Sequence, residues 1–239
     1  LKNNKQKLSR NKQGYYPIGG IDHVSVTTFL KVISNSFLMG WYAQMEKDSI
    51  LKLIKKAIKT NLSKSKIIQS IKEQCLKESS AAGRYVFKRG KHGNAIHKAI
   101  QKYLGSGKKP TIKDKKDHKA FKSFLKWWSK GEYEAVAVEI TISDKKLRAA
   151  GTMDAYLKRV KDGKLGIGDW KTGKNIYREH HLQNVAYRHI ARKSYPSSFG
   201  LIIHVPQDGG KTTVHKVNSE KYTLKIVLLA LDLWRGLNE

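Results

Sequence analysis

Asp169-Trp170-Lys171-Thr172 closes a short apolar strand that begins near residue 164, and its acid and lysine stand two positions apart. Alternate residues of a strand face the same side, so the Asp169 carboxylate and the Lys171 ammonium are expected to emerge together. Just upstream, Asp162-Gly163 separates two segments of strand composition and reads as a two-residue type I′ hairpin turn. In that register Lys161 faces Lys164, Asp154 falls opposite Lys171 and diagonal to Asp169, and all three side chains share one face.

The segments on either side extend this hairpin into a sheet. From Tyr133 the hydrophobic period is two, with Val136, Val138, Ile140 and Ile142 alternating with Ala137, Glu139 and Thr141. If the next turn is the pair Lys145-Lys146, Glu139 lies opposite Thr152 on the Asp154 face; a three-residue turn reverses this. Downstream, a helix over about 179–194 carries Gln183 and Tyr187 one turn apart. Phe199 to Val205 and Thr212 to Val217 read as strands joined by Gly209-Gly210, and residues 221–237 as a closing amphipathic helix. The expected class is α/β, a mixed central sheet flanked by helices.

The part before residue 131 reads as mainly helical. Ser25 suits an N-cap for a helix with Phe29, Leu30, Ile33 and Phe37 at helical spacing, ending at Trp41. Residues 45–80 alternate lysine with isoleucine and leucine as two amphipathic helices broken near Asn61 to Ser63, their lysine faces solvated. Residues 81–104 place Ala99, Ile100 and Leu104 in a buried stripe, with Gly93 and His97 one turn apart on one face. Glycine there permits close approach to the sheet. Beyond a basic connection at 109–119, a helix over 118–130 ends in Trp127-Trp128, which read as core and rim packing. Residues 1–14 carry five basic residues and no acid and read as a mobile arm, leaving 15–239 as one domain with a helical part to 130 and a sheet core from 131.

Charge narrows the partner. Lys plus Arg number 48 against 19 Asp plus Glu, a formal balance of +29 over 239 residues, and such a field attracts polyanions with strong salt dependence. Nucleic acid fits. Cys75 is the single cysteine, which excludes an intrachain disulfide and any four-cysteine zinc or iron–sulfur cluster, and suits a reducing compartment. Neither a transmembrane run nor a signal-peptide core is evident, so no membrane partner is expected and a cytoplasmic setting is, with mitochondria as the alternative.

Two converging carboxylates hold a hard divalent cation, Mg²⁺ or Mn²⁺, which polarises a phosphoryl oxygen and acidifies water. Lys171 beside them suits orientation of that water or neutralisation of transition-state charge. A neutral His97 imidazole would add a further ligand.

Gly93 to His97 as G-x-x-x-H, Gly151 to Asp154 as G-x-x-D, Asp169 to Lys171 as D-x-K and Gln183 to Tyr187 as Q-x-x-x-Y occur in the order and approximate spacing of one known set. The set resembles the RecB-like branch of the PD-(D/E)XK nuclease superfamily. Ser25 to Leu30 with Trp41 also resembles the entry segment of phage and mitochondrial genome maintenance exonucleases of that branch. The resemblance implies a restriction-endonuclease-like core. It implies that His97, Asp154, Asp169 and the Trp170 carbonyl ligate the metal, that Lys171 serves the attacking water, and that Gln183, Tyr187 and Thr172 contact substrate or brace the site. Glu139 resembles the acid that precedes G-x-x-D in many relatives. The implied function is a single-strand DNA exonuclease of replication, repair or recombination, in a bacterial or phage-infected cell. The alternatives are a structure-selective or site-specific endonuclease on the same fold, an RNA-directed nuclease, or a nucleic-acid-binding module whose nuclease site is unused.

Overall fold

A computed structural model of the protein describes residues 9–60, 62–75 and 81–239, with only the backbone for residues 34–41, 74 and 75. Most of the expected basic arm, Asn61 and the side chains of Phe37, Trp41 and Cys75 therefore lie outside the described residues. The chain divides into two compact units, Ser34–Lys91 and the remainder. The first comprises most of α2 (Lys31–Lys59), α3 (Lys64–Cys75) and the start of α4 (Ala81–Ser106), so the expected break falls between α2 and α3. Within it the backbone N–H of Ala82 donates to the Glu46 carboxylate at 3.3 Å.

The other unit holds one mixed sheet. A hairpin of β1 (Tyr15–Ile18) and β2 (Ile21–Ser25) opens it, turning through Gly19-Gly20, both with positive φ, 60° and 76°. A type I′ turn needs that conformation at both central residues. Ser25 then caps a helix as expected, accepting from Thr28 N–H at 3.1 Å, but this helix, α1 (Val26–Phe29), is a single turn and α2 starts separately at Lys31. After α4 come α5 (Lys115–Trp128), β3 (Tyr133–Asp144), β4 (Ala149–Arg159), β5 (Leu165–Lys171), α6 (Arg178–Ala191), β6 (Phe199–His204), β7 (Thr213–Lys216) and α7 (Leu224–Asn238). β2 pairs parallel with β4 and β5 parallel with β6, while β3–β4, β4–β5 and β6–β7 are antiparallel. This is an α/β fold with helices on both sheet faces. No described helix is long and apolar enough to cross a membrane.

Both central turns are four residues long rather than two. The β4–β5 ladder pairs Lys158 with Leu165 and Ala155 with Gly168, so Asp154 faces the Asp169 level and not Lys171. Only Gly163 adopts positive φ there, 68°, because Asp162 is held by the Arg159 guanidinium at 2.6 and 2.9 Å and caps Lys164 N–H; a type I′ turn would require Asp162 to turn left-handed as well. In the β3–β4 turn, Asp144 caps Lys146 and Leu147 N–H at 3.0 and 3.1 Å, and Arg148 takes φ 40°. Thr141 therefore pairs with Thr152, and Glu139 lies between the pairs Val138–Ala155 and Ile140–Met153, level with Asp154 rather than Thr152. Each register differs from expectation by two, an even number, but strict alternation breaks beside Asp154: Ala149, Met153 and Tyr156 join one core and Ala155 and Leu157 the other, so the expected single face for Asp154, Asp169 and Lys171 is not kept by parity alone.

Two cores fix those faces. Phe29, Met153, Tyr156, Ile167, Leu182, Tyr187, Leu231 and Trp234 join α1, α6 and α7 to one side of the sheet. Ile96, Ile100, Phe121, Phe124, Trp127, Leu157, Trp170 and Leu201 join α4 and α5 to the other. The Trp170 ring meets Phe124 edge-on with centroids 5.5 Å apart, a contact stabilising by about 1 kcal/mol beyond burial. With Trp170 locked under α5, its neighbours Asp169 and Lys171 must face α6. Trp127 is buried in the same cluster, in accord with a packing role.

Candidate functional site

The sheet forks at the place where the carboxylates meet. β3 occupies one edge of β4, so β2 and β5 share the other: β2 pairs with Ala149 and Ala150, and β5 with Ala155 to Lys158. Residues 151–154 lie between, where β2 and β5 diverge. Here the Asp154 carboxylate replaces a backbone carbonyl, accepting the Trp170 N–H on Oδ2 at 2.8 Å, while Oδ1 lies 3.3 Å from His97 Nδ1. His97 thus reaches Asp154 from α4. With Nδ1–H given to Asp154, Nε2 is the ring nitrogen left to bind an ion.

Lys171 occupies the other side of the fork. Its Nζ lies 2.6 Å from Asp169 Oδ2 and donates to Gln183 Oε1 at 2.8 Å, and Gln183 Nε2 in turn donates to the Tyr187 hydroxyl at 2.8 Å. The i, i+4 spacing on α6 stacks Gln183 and Tyr187 into a buried chain that braces Lys171. Tyr187 fits because Gly151 has no side chain: a Cβ there would lie 2.5 Å from Tyr187 Cε1. The glycine of G-x-x-D is therefore a packing requirement of the brace. Gly93 plays the matching role on α4, where a Cβ would lie 2.8 Å from Thr172 Oγ1. Thr172 itself is buried and accepts from Gln207 Nε2 at 3.4 Å, a bracing position between strand and helix.

Electrostatics separate the two acids. Burial pushes the Asp169 carboxyl up to about 6; Lys171 opposes this and the charge of Asp154 adds to it. Asp169 Oδ2 is buried, and although it forms an ion pair with Lys171 it receives no well-aligned hydrogen bond. Burial works in the same direction on Asp154, but His97, Lys171 and the Trp170 N–H outweigh it and hold its pKa below the ordinary 3.8. For His97, burial is outweighed by Asp154, which raises the imidazole above 6.5. The expected neutral imidazole thus requires a competing positive charge at the carboxylates. Two carboxylates and an imidazole are the donor types that suit a hard divalent cation, but in this arrangement the ligand atoms of His97, Asp154 and Asp169 do not all come within 4.8 Å of one another.

The linkage is testable in metal-free protein. Asp169 titrates near 6 when folded and near 3.8 ordinarily, so between those values the native state holds more protons than the unfolded state and stability falls as pH rises. The full effect is on the order of 3 kcal/mol. Urea unfolding of the wild type and Asp169→Asn at pH 4 and pH 7 should show the wild type losing more stability than the variant over that interval.

Glu139 lies at the same level with a left-handed backbone, φ 54°, a conformation that costs a non-glycine residue about 1 kcal/mol or more. It adjoins Asp154 in register, not Thr152 as a two-residue turn would have placed it.

A second cluster was not foreseen. Among the described residues, His92, Asp114 and Asp117 bring three ligand atoms within 4.8 Å of one another. Their bonds are already internal: His92 Nδ1 lies 2.8 Å from Asp117, and Asp114 caps α5 through the N–H groups of Lys116 and Asp117. They tie α4 to the start of α5. Sequence spacing gives no hint of His92 in this group, since more than twenty residues separate it from the acids.

Comparison of the chain with protein-family models and with curated proteins gives no match.

Proposed function

We propose that the protein is a Mg²⁺- or Mn²⁺-dependent nuclease that hydrolyses phosphodiester bonds in single-stranded DNA, on a PD-(D/E)XK-type core of the RecB-like branch. The observation that carries this reading is the fork itself: Asp154 and Asp169 at one level of diverging strands, with Lys171 held between Asp169 and Gln183. Asp154, Asp169, His97 and the Trp170 carbonyl are the groups that would hold the cation, with Glu139 adjacent. When bound, the cation supplies Lewis acidity at the phosphoryl oxygen and lowers the pKa of water.

The chain's own groups supply the rest. Lys171 presents an ammonium whose direction is fixed by Gln183, so it can orient the attacking water and meet negative charge developing on the phosphoryl oxygens. Burial first, then the charge of Asp169, keeps the Tyr187 phenol well above its ordinary 10, so the hydroxyl stays neutral and continues to hold Gln183. The formal charge of +29 draws a polyanion to this centre.

The test uses single-stranded DNA in two forms, linear with a label at either end and covalently circular, incubated with protein and Mg²⁺. Degradation of the linear form alone is expected and marks an end-dependent exonuclease, with the label released first giving polarity. Cutting of the circle would replace this with an endonuclease, and inertness toward both would overturn the nuclease reading.

A further inference from the structure

A lysine-lined groove on α5, remote from the carboxylates, has no role in the chemistry above. Lys119, Lys122 and Lys126 follow one another at three- and four-residue intervals within about 60° of one another around the α5 axis, and Lys130 continues the series just past the helix C-cap. They lie opposite the face that buries Phe121 and Phe124. Four exposed lysines on one stripe would ordinarily be a solvated helix face. Here they form one wall of a cavity of about 520 Å³ whose other wall is the β6–β7 connection at Gly209, Lys211 and Thr212.

The groove is built rather than incidental. Ser123 Oγ donates to the Gly210 carbonyl at 2.7 Å and accepts the Thr212 N–H at 2.9 Å, fastening the connection to α5. Gly209 has φ 84°, and a Cβ there would lie 2.7 Å from the Cβ of Lys119, so glycine permits the close approach. None of the five lysines has a carboxylate within ion-pair distance among the described residues. Asp208, the acid of the connection, is turned onto the Gly210 N–H at 3.0 Å. Five like charges held together raise a local positive potential that favours a polyanion, which gains by displacing small counterions.

The same connection leads to the carboxylate fork. Gln207, two residues before Gly209, donates to Thr172, which adjoins Lys171. From that end the stripe runs from Lys119 to the end of α5 at Trp128, about 14 Å of helix, and on to Lys130 just beyond it, the length of several nucleotides.

We propose that this groove is a phosphate track that holds the single strand beyond the catalytic fork and sets how firmly the enzyme grips its substrate; its direction relative to the fork rests on the nuclease reading, while the binding itself does not. Lysine ammoniums suit backbone phosphates as point charges without base discrimination.

The experiment compares the wild type, the K119Q/K122Q/K126Q/K130Q variant and a variant with equal charge loss on α2, K52Q/K55Q/K56Q/K59Q. Fluorescence anisotropy with a labelled single-stranded oligonucleotide is followed against KCl without divalent ions, so the result is independent of cleavage. Every phosphate that a variant no longer neutralises should flatten the log–log salt slope by about 0.7, so the groove variant should lose about 2 to 3 from its slope and the α2 variant less. Hydrolysis of bis(p-nitrophenyl) phosphate with Mn²⁺, a probe too short to reach the groove, should be the same in wild type and groove variant. An unchanged slope, or equal flattening in both variants, would overturn the track. So would loss of poly-glutamate binding with DNA binding intact, which would assign the groove to an acidic polypeptide. Absence of hydrolysis in every protein, with the groove-specific flattening retained, would instead remove the nuclease reading and leave the track standing.

Discussion

Asp169→Asn is expected to lower single-strand cleavage by about 10³-fold or more while making the metal-free protein more stable at neutral pH. The loss follows from removing one of two carboxylates that would hold the cation, whose Lewis acidity the remaining groups do not replace. The gain follows from burial: the charged form of Asp169 is disfavoured strongly enough to lift its pKa to about 6 despite Lys171 at 2.6 Å. An uncharged isostere escapes that penalty, worth on the order of 1 to 3 kcal/mol at pH 7. Single-strand binding without metal should persist, since one negative charge near the phosphates has gone. Parallel cleavage, urea and anisotropy measurements check all three. A variant that retained wild-type cleavage would remove Asp169 from the chemistry, and one that was inactive and less stable would reduce it to a structural ion-pair partner.

Lys171→Ala carries the second large effect, about 10²- to 10³-fold in the rate of cleavage at saturating DNA, the range for losing one charged group aimed at the transition state. Affinity for DNA should change little, because Lys171 is one of 48 basic residues and is mostly buried in the fork. Lys171 also pulls the Asp169 pKa downward, so its removal lets that pKa rise. The residual activity of the variant should therefore need a higher pH than the wild type to reach its plateau. Single-turnover rates across pH 5 to 9 read both the loss and the displaced limb.

The candidate centre was legible in the sequence for a geometric reason. Strand alternation put Asp169 and Lys171 side by side on the α6 face, and because both turns came out longer than expected by two, Asp154 and Glu139 moved level with Asp169 and with each other, although alternation itself breaks beside Asp154. The turn length was decided by a side chain, the Arg159–Asp162 fork, which the Asp-Gly signal does not encode. On helices, i, i+4 spacing carried Gly93–His97 and Gln183–Tyr187 directly into contact with the strands.

The fork was not legible. It depends on β2 pairing with two residues of β4 across more than a hundred intervening positions, and such parallel pairing leaves no local pattern. The β1–β2 hairpin did leave one: Gly19-Gly20 between Tyr15-Tyr16 and Ile21 to Val24 is a two-residue turn signal, masked by the proline at 17 and the acid at 22. The His92–Asp114–Asp117 cluster joins two helices by tertiary packing alone.

That cluster supplies the sharpest comparison. Metal-dependent cleavage of a labelled single strand, measured with Mn²⁺ for the wild type, Asp169→Asn and His92→Gln, asks which carboxylates serve the chemistry. Glutamine at 92 keeps a donor for Asp117, so the α4–α5 tie survives. The fork predicts His92→Gln within about twofold of wild type and Asp169→Asn slower by about 10³-fold. An active Asp169→Asn beside an inactive His92→Gln would contradict it and move the metal chemistry to the helix pair.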